Sequence, residues 1–242
     1  MGIKEIEMKN LQDNIIGITI GIKFNRAFRM SDISGDIIDN ILYSDKTPFG
    51  TDFFPKVQTS NSERTLFNPE TSEYLRVNTD DIILGVVVDN NFKKTMKWLN
   101  NEVVSNYFGE ILFRKYTIKN IRRIGIVFSH KISKNKKLVD AVSLITENSL
   151  ADVNDINISF SKKIGSIEAL YRKDVNDYKN TIYNFQDIKE AINCSLDYQY
   201  YFDPVIEDLR DCFIDKIFDD SINFLEKNYY QWLLKYDNKE SK

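Results

Sequence analysis

The only histidine of the chain lies near the end of a strand-like segment that also carries three cations. Residues 121–132 read IRRIGIVFSHKI, and in an extended chain their side chains alternate between two faces. Arg123 and Lys131 then flank two small residues on one face, which leaves backbone accessible between two positive charges and suits an anion. His130 falls with the apolar residues on the opposite face. That position predicts a hydrogen-bonded residue at the edge of the core.

Covalent chemistry would have to use one of two thiols. Cys194 lies on the apolar face of an alternating segment and Cys212 adjoins Phe213 in a predicted helix, so both are expected to be inert core thiols. A single histidine cannot form a multi-histidine metal site. The motifs GxxxxGK[ST], GxGxxG and GxSxG do not occur. The sequence therefore predicts no catalytic residue, no cofactor and no resident metal.

Charge is distributed unevenly, although the whole chain carries a formal net charge of only −3. Residues 114–137 contain nine basic residues and no acid. Residues 203–220 contain seven acids and two basic residues, a local net charge of −5. Such polarity orients and attracts charged partners. The candidate anion or nucleic-acid contacts are Arg122, Arg123, Lys131, Lys134, Lys136 and Lys137.

The acidic region predicts a carboxylate row on a helix expected over residues 205–233. Glu207, Asp211, Asp215 and Asp219 recur every four residues and would share one side of that helix. Such neighbours repel by roughly 0.2–0.5 kcal/mol per pair, so a counter-charge would help. Carboxylates on one straight row point outward, whereas a divalent metal needs ligands that converge from several elements. We therefore expect the row to face a partner or solvent.

Three hypotheses account for the basic segment. It could meet the acidic helix of the same chain or remain solvated; it could bind nucleic acid; or it could bind an acidic protein. Binding of single strands also needs aromatic side chains, and Phe113 and Tyr116 are near in sequence. No recognised helix-turn-helix, zinc-finger or RNA-recognition signature is present.

Hydrophobic periodicity predicts an α+β fold with antiparallel sheets. Strand runs are interrupted by single long helices, without a regular β–α alternation. Residues 1–135 and 150–242 each run from strands to a long amphipathic helix, which predicts two similar halves joined by a connector at 136–149. The expected strands include residues 13–24, 80–89, 121–132, 155–164, 180–186 and 190–202, and the first long helix begins near residue 92.

Composition favours a folded protein of the cytoplasm. Hydrophobic residues make up 42% of the 242 residues, enough for a packed core at this modest net charge. Two cysteines cannot form a disulfide framework, which favours a reducing compartment. The first residues contain no apolar signal segment, and no apolar run has the length of a membrane span.

Several segments together resemble a sporadically distributed bacterial family of chains near this length, to which no activity is assigned. They are residues 18–24, the strand Arg123-Ile124-Gly125-Ile126-Val127-Phe128-Ser129-His130, the step Leu196-Asp197-Tyr198, and the helix predicted over 205–233. Val127 stands where the family has its second arginine, and His130 where asparagine is usual. Spanning residues 15–235, the resemblance implies a two-part α+β fold and an accessory gene, including a phage-defence or mobile-element context. It brings no catalytic residues.

These observations favour a non-catalytic binding protein that serves as an accessory subunit of a bacterial protein assembly. A protein partner is the first expectation. The alternative is a nucleic-acid-binding protein that uses the basic segment 114–137, and a metal-dependent hydrolase is the third hypothesis. Polarised charge would set partner orientation and association rate more than affinity.

Overall fold

The computed structural model describes residues 12–60, 63–89, 91–133, 157–164, 172, 175–188 and 191–231. Within these ranges the fold is α+β, with one nine-stranded antiparallel sheet and three helices. The strands occur in the sheet in the order β2-β3-β4-β5-β1-β6-β9-β8-β7. Their bounds are β1 Ile15–Phe24, β2 Lys56–Thr59, β3 Glu63–Phe67, β4 Tyr74–Asn78, β5 Asp81–Val87, β6 Ile121–Ser133, β7 Asn157–Ile164, β8 Tyr178–Ile188 and β9 Ala191–Ile206.

The three helices differ in length and winding. Helix α1 spans Arg29–Tyr43. Helix α2 is continuous through α-helical Phe92–Trp98, π-helical Leu99–Phe113 and an α-helical turn at Arg114–Tyr116. Helix α3 spans Ile214–Phe224 and continues as π-helical Leu225–Tyr229. None of the helices among the described residues is both long and apolar enough to cross a membrane.

The helices pack on one face of the sheet, where alternate apolar side chains form the core. On β1 this face carries Ile18, Ile20 and Ile22, each at most 1% exposed. The strand-to-helix ring contacts of the described residues fall on this face, which we call the covered face. They include Phe24 with Phe113 of α2, Phe128 with Phe92 of α2, Tyr198 with Phe224 of α3, and Tyr183 with Tyr229 of α3.

The two sequence ranges that predict separate halves contribute to one sheet. Strand β6 pairs with β1 on one side and with β9 on the other, antiparallel in both cases. The predicted connector 136–149 lies outside the described residues. A continuous sheet therefore carries side chains from both ranges across one surface.

The terminal helix begins later than the periodicity predicts. Strand β9 runs to Ile206, a 3-10 turn follows at Leu209–Asp211, and α3 begins at Ile214. Tyr200, Phe202 and Ile206 are all buried, so core packing extends the strand through Pro204, a residue that would also suit the first turn of a helix. The prediction of a helix over 205–233 is wrong at its start.

Candidate functional site

His130 lies in the core beneath α3, as its apolar face predicts. It is 1% exposed, and its Nε2 shares a 3.1 Å hydrogen bond with Tyr230 Oη. Burial lowers the imidazole pKa from 6.5 to about 4. At neutral pH the ring is therefore uncharged and shielded from substrates in solution.

Both thiols are buried as well, Cys194 to 3% and Cys212 to 8% exposure. Burial raises the pKa of the Cys194 thiol to about 11 and also raises the pKa of the Cys212 thiol. A protonated, enclosed thiol is a poor nucleophile. Of the described residues, no three His, Cys, Asp or Glu side chains are placed to hold a metal ion.

The predicted basic contacts separate into three groups. Arg123 and Lys131 of β6 share the face opposite the helices with Gly125 and Ser129, as strand alternation predicts. Arg122 is exposed beside them, next to a register shift in the pairing of β6 with β9. Lys134, Lys136 and Lys137 lie outside the described residues.

The predicted carboxylate row does not form, because the helix that would carry it begins at Ile214. Glu207 follows β9 and Asp211 ends the 3-10 turn, whereas Asp215 and Asp219 are on α3. All four are exposed. Asp215 accepts a 2.8 Å hydrogen bond from the Asn100 side chain. We call these four residues the acidic surface.

Within the described chain, one ion pair links the basic segment to the acidic surface. Lys119 Nζ lies 3.9 Å from Glu207 Oε2, and both side chains are more than half exposed. An exposed pair of this kind contributes at most about 1 kcal/mol. One weak ion pair therefore links the two charged regions, which also lie side by side where β6 pairs with β9 and where Arg114 acts electrostatically on Asp208.

The sheet face opposite the helices, which we call the open face, is the surface that sequence reasoning missed. Strand register places Tyr178, Tyr201, Arg123 and Lys23 side by side across β8, β9, β6 and β1. The next row contains Asn180, Gln199, Gly125 and Gly21, and Lys163 of β7 pairs with Asn180. Apart from the two tyrosine rings, polar and small side chains thus occupy these two rows.

Four side chains form a ladder, three from the first row and Lys163 from the second. The Tyr178 and Tyr201 rings stack in parallel with centroids 4.5 Å apart. Lys163 Nζ lies 4.1 Å from the Tyr178 ring centroid, and the Arg123 guanidinium carbon lies 5.5 Å from that of Tyr201. Each cation is attracted to the negative face of its ring. The stacked tyrosines thereby fix two cations on the open face.

A hydrogen-bond chain joins this ladder to the second row. Arg123 donates to Tyr201 Oη at 3.1 Å, and Tyr201 Oη donates to Gln199 Oε1 at 2.9 Å. Asn180 Nδ2 also donates to Gln199 Oε1, at 3.2 Å, while Gln199 Nε2 donates to Asp197 at 2.6 Å. Linked polar groups of this kind hold one another in position. The site is consequently ordered before any ligand arrives.

Gly21 and Gly125 are cross-strand neighbours in the second row, and neither has a positive φ. A Cβ on Gly125 would lie 3.8 Å from Asp197 Oδ1, and one on Gly21 would lie 3.7 Å from Ile83. Both distances are ordinary contacts. Neither backbone conformation nor internal packing requires glycine at these two positions. Their effect is to leave this part of the open face without side chains that project from the sheet.

A depression of about 410 Å³, lined by polar and apolar groups in similar measure, continues the open face toward the far end of β6, β8 and β9. Asn184 Nδ2 donates to Ser195 Oγ within it, at 3.2 Å. Its lining contains hydroxyl and amide groups that can both donate and accept hydrogen bonds. The lining residues are Ile16, Ser129, His130, Asn184, Phe185, Gln186, Asn193, Cys194 and Ser195, of which His130, Phe185 and Cys194 are buried and expose at most 5% of their surface.

Asp197 is the carboxylate at the centre of the open face, between Val127 and Ile182. Burial raises its pKa, against the opposing effects of Gln199 and Arg123. A folded-state pKa above the unfolded value means that ionisation lowers stability as pH rises through the carboxyl range. At neutral pH this carboxylate therefore weakens the fold.

Replacing Asp197 with asparagine should raise the melting temperature at neutral pH, because the amide carries no charge to desolvate. The difference in melting temperature between the variant and the parent chain should disappear at about pH 3, where the carboxyl is neutral in both folded and unfolded states. Melting curves across this pH range measure the effect. Asp219→Asn, an exposed control, should leave the melting temperature unchanged, and an Asp197→Asn variant that melts below the parent at neutral pH would contradict the assignment.

No family model matches the chain, and no curated protein matches it.

Proposed function

We propose that this chain is a non-catalytic binding protein and an accessory subunit of a bacterial protein assembly. The observation that carries the proposal is the separation of charge in the folded chain. The acidic surface is exposed, and among the described residues the weak Lys119–Glu207 pair is the one ion pair that links it to the basic segment. Burial of His130 and both thiols supports the non-catalytic part of the proposal. These were the candidate catalytic side chains of the sequence, and burial makes them inaccessible to a substrate.

The acidic surface is the contact we assign to a basic protein partner. Its exposed carboxylates would attract that partner over a distance of about 8–10 Å at physiological salt and orient it on arrival. The proposal includes the two similar halves, 1–135 and 150–242, each packed by a long amphipathic helix. It also includes a cytoplasmic location and a phage-defence or mobile-element locus, which are implied by composition and by the family resemblance.

Removing charge from the acidic surface should weaken capture of the protein partner. A Glu207→Gln/Asp215→Asn/Asp219→Asn variant should lower the association rate about 10-fold or more at low salt, because steering depends on the charge of the surface that the partner approaches. Affinity purification from the native cell, with and without nuclease, should first identify a stoichiometric, nuclease-resistant partner. The association rate of that purified partner with the parent chain and with the variant is then measured at several salt concentrations.

The matched control removes three exposed carboxylates from α1 with Asp32→Asn, Asp36→Asn and Asp39→Asn. It changes net charge equally and should bind like the parent chain. Equal losses in both variants would indicate a non-specific charge effect, and capture that disappears with nuclease would remove the protein-partner proposal.

A further inference from the structure

We infer that the open face binds single-stranded nucleic acid along strands β1, β6, β9, β8 and β7. This inference rests on the proposed binding function and assigns a second ligand to a surface distinct from the acidic one. The ladder of Lys163, Tyr178, Tyr201 and Arg123 would hold the sugar–phosphate backbone and one base. The amide side chains of the second row and the groups that line the depression would contact the remaining bases.

Charge favours a polyanion on this face. Register places the cations Lys163, Arg123, Lys131 and Lys23 on β7, β6 and β1, against the carboxylates Asp197 and Asp81, and the Asp203 carboxylate also acts electrostatically on Tyr178. Lys23 is partly neutralised, because its Nζ lies 3.2 Å from Asp80. Lys163 and Lys131 are exposed, and phosphate contacts by such residues release counterions and supply sequence-independent affinity.

The ladder provides both phosphate and base contacts. Lys163 is exposed, so its ammonium can leave the Tyr178 ring for a phosphate. That movement frees one face of Tyr178 for a nucleobase, and such stacking contributes about 1–3 kcal/mol per base. The Arg123 guanidinium is partly exposed and donates to Tyr201 through one terminal nitrogen, so its other terminal N–H groups can meet a phosphate oxygen.

Neutral polar groups suit the edges of unpaired bases. Asn180 and Asn184 of β8 and Ser195 of β9 carry amides and hydroxyls that can donate and accept, as base edges require. Because Gly21 and Gly125 have no side chains, the surface between them and Arg123 has room for the planar ring of a base. A negatively charged or apolar lining would offer neither property.

Shape favours a single strand over a duplex or a protein segment. The middle strands are hydrogen-bonded on both sides, so an added peptide strand finds no backbone groups on the open face. The apolar side chains at the centre of this face, Val127 and Ile182, flank the carboxylate of Asp197, whereas the core of a protein interface is depleted of charged residues. A broad sheet face does not enter a duplex groove, but it does accept splayed bases.

The first test measures fluorescence anisotropy of labelled oligo(U) and oligo(dT) of about 16 nucleotides, together with a duplex of equal length. We expect dissociation constants of about 1–100 μM for the single strands at low salt and weaker binding to the duplex. The Lys163→Gln/Arg123→Gln variant should bind at least 10-fold more weakly. Its slope of log K against log salt should fall by about 1.4, or 0.7 for each lost phosphate contact.

Two further variants locate the effect on the open face. Gly21→Ala/Gly125→Ala should weaken binding several-fold while the melting temperature stays level or rises, because both methyl groups fit and glycine weakens strand interiors. Lys93→Gln/Lys94→Gln removes two exposed cations of α2 and should bind like the parent chain. The single variant Lys163→Gln changes only an exposed side chain and reports binding if the double variant unfolds.

The outcomes separate this inference from the proposed function. Absence of single-strand binding, or binding that the Lys163 and glycine variants leave unchanged, overturns the inference. Equal affinity for the duplex overturns the choice of a single strand. Partner capture through the acidic surface is measured independently, so it persists if only the nucleic-acid inference fails and disappears if the proposed function fails.

Discussion

Replacing Asp177 with alanine should lower the free energy of unfolding by about 3–5 kcal/mol, the largest effect that we expect from one substitution. Asp177 is 2% exposed and lies directly before β8. Its carboxylate accepts hydrogen bonds from Arg172 Nε and Tyr200 Oη, each at 3.0 Å, and from the backbone N–H of Asp203 at 2.8 Å. A second Arg172 nitrogen also donates to it.

The loss is large because several partners are left unpaired at once. Alanine would leave the Arg172 guanidinium, itself mostly buried, without its counter-ion, and would leave the Tyr200 hydroxyl without its acceptor. Equilibrium unfolding in urea measures the difference. Asn176→Ala, at an exposed neighbouring position, should change stability by less than about 0.5 kcal/mol. A loss below about 1 kcal/mol for Asp177→Ala would show that the buried carboxylate has little part in stability.

Local sequence patterns predict the covered face of the sheet well. Alternation identifies the inward residues of β1 from Ile18 to Phe24 and those of β9, and four-residue spacing identifies the buried stripe of α2 that includes Phe92 and Met96. Alternation is wrong at Ile16, which it places inward but which is exposed beyond a register shift in β1, while Ile15 is buried. These patterns succeed because burial of one face imposes a period of two on strands and about 3.6 on helices. They depend on neighbouring residues alone.

The open face depends on strand register, which local periodicity does not contain. Tyr178 and Tyr201 stack only because β8 and β9 pair in one register, and Arg123 reaches Tyr201 through the pairing of β6 with β9. A signal was nevertheless present in the outward positions of β8 and β9. Asn180, Asn184 and Gln199 occupy positions where an ordinary solvated strand more often carries charged residues.

The acidic region shows how one spacing can fit two structures. Carboxylates at every fourth residue indicate a helix, but alternate buried residues also extend β9 through Pro204 to Ile206. Core packing decided the outcome, since the apolar side chains of residues 200–206 contribute more to stability than a solvated charge row. Accordingly, Asp215 and Asp219 are on α3, while Glu207 and Asp211 precede it.

Acidification should destabilise the fold through His130, by about 3 kcal/mol between neutral pH and about pH 4. The folded-state pKa is lowered from 6.5 to about 4 by burial, so below pH 6.5 the unfolded chain takes up a proton that the folded chain refuses. The contribution of His130 to the free energy of unfolding is fully present above the unfolded pKa. Below that pKa it declines by about 1.4 kcal/mol for each pH unit. Urea unfolding at successive pH values measures the slope.

Two variants separate His130 from the carboxylates that also titrate in acid. His130→Gln cannot take up a proton, so its unfolding free energy should fall less steeply with acid than that of the parent chain. Tyr230→Phe removes the hydrogen-bond partner of Nε2 but keeps the ring buried, so it should retain the parent slope, since burial is the main cause of the shift. Because the chain has one histidine, a single imidazole NMR signal reports its pKa directly. An ordinary pKa near 6.5 in the folded protein, or equal acid slopes for His130→Gln and the parent, would place the ring in contact with water and contradict its position beneath α3.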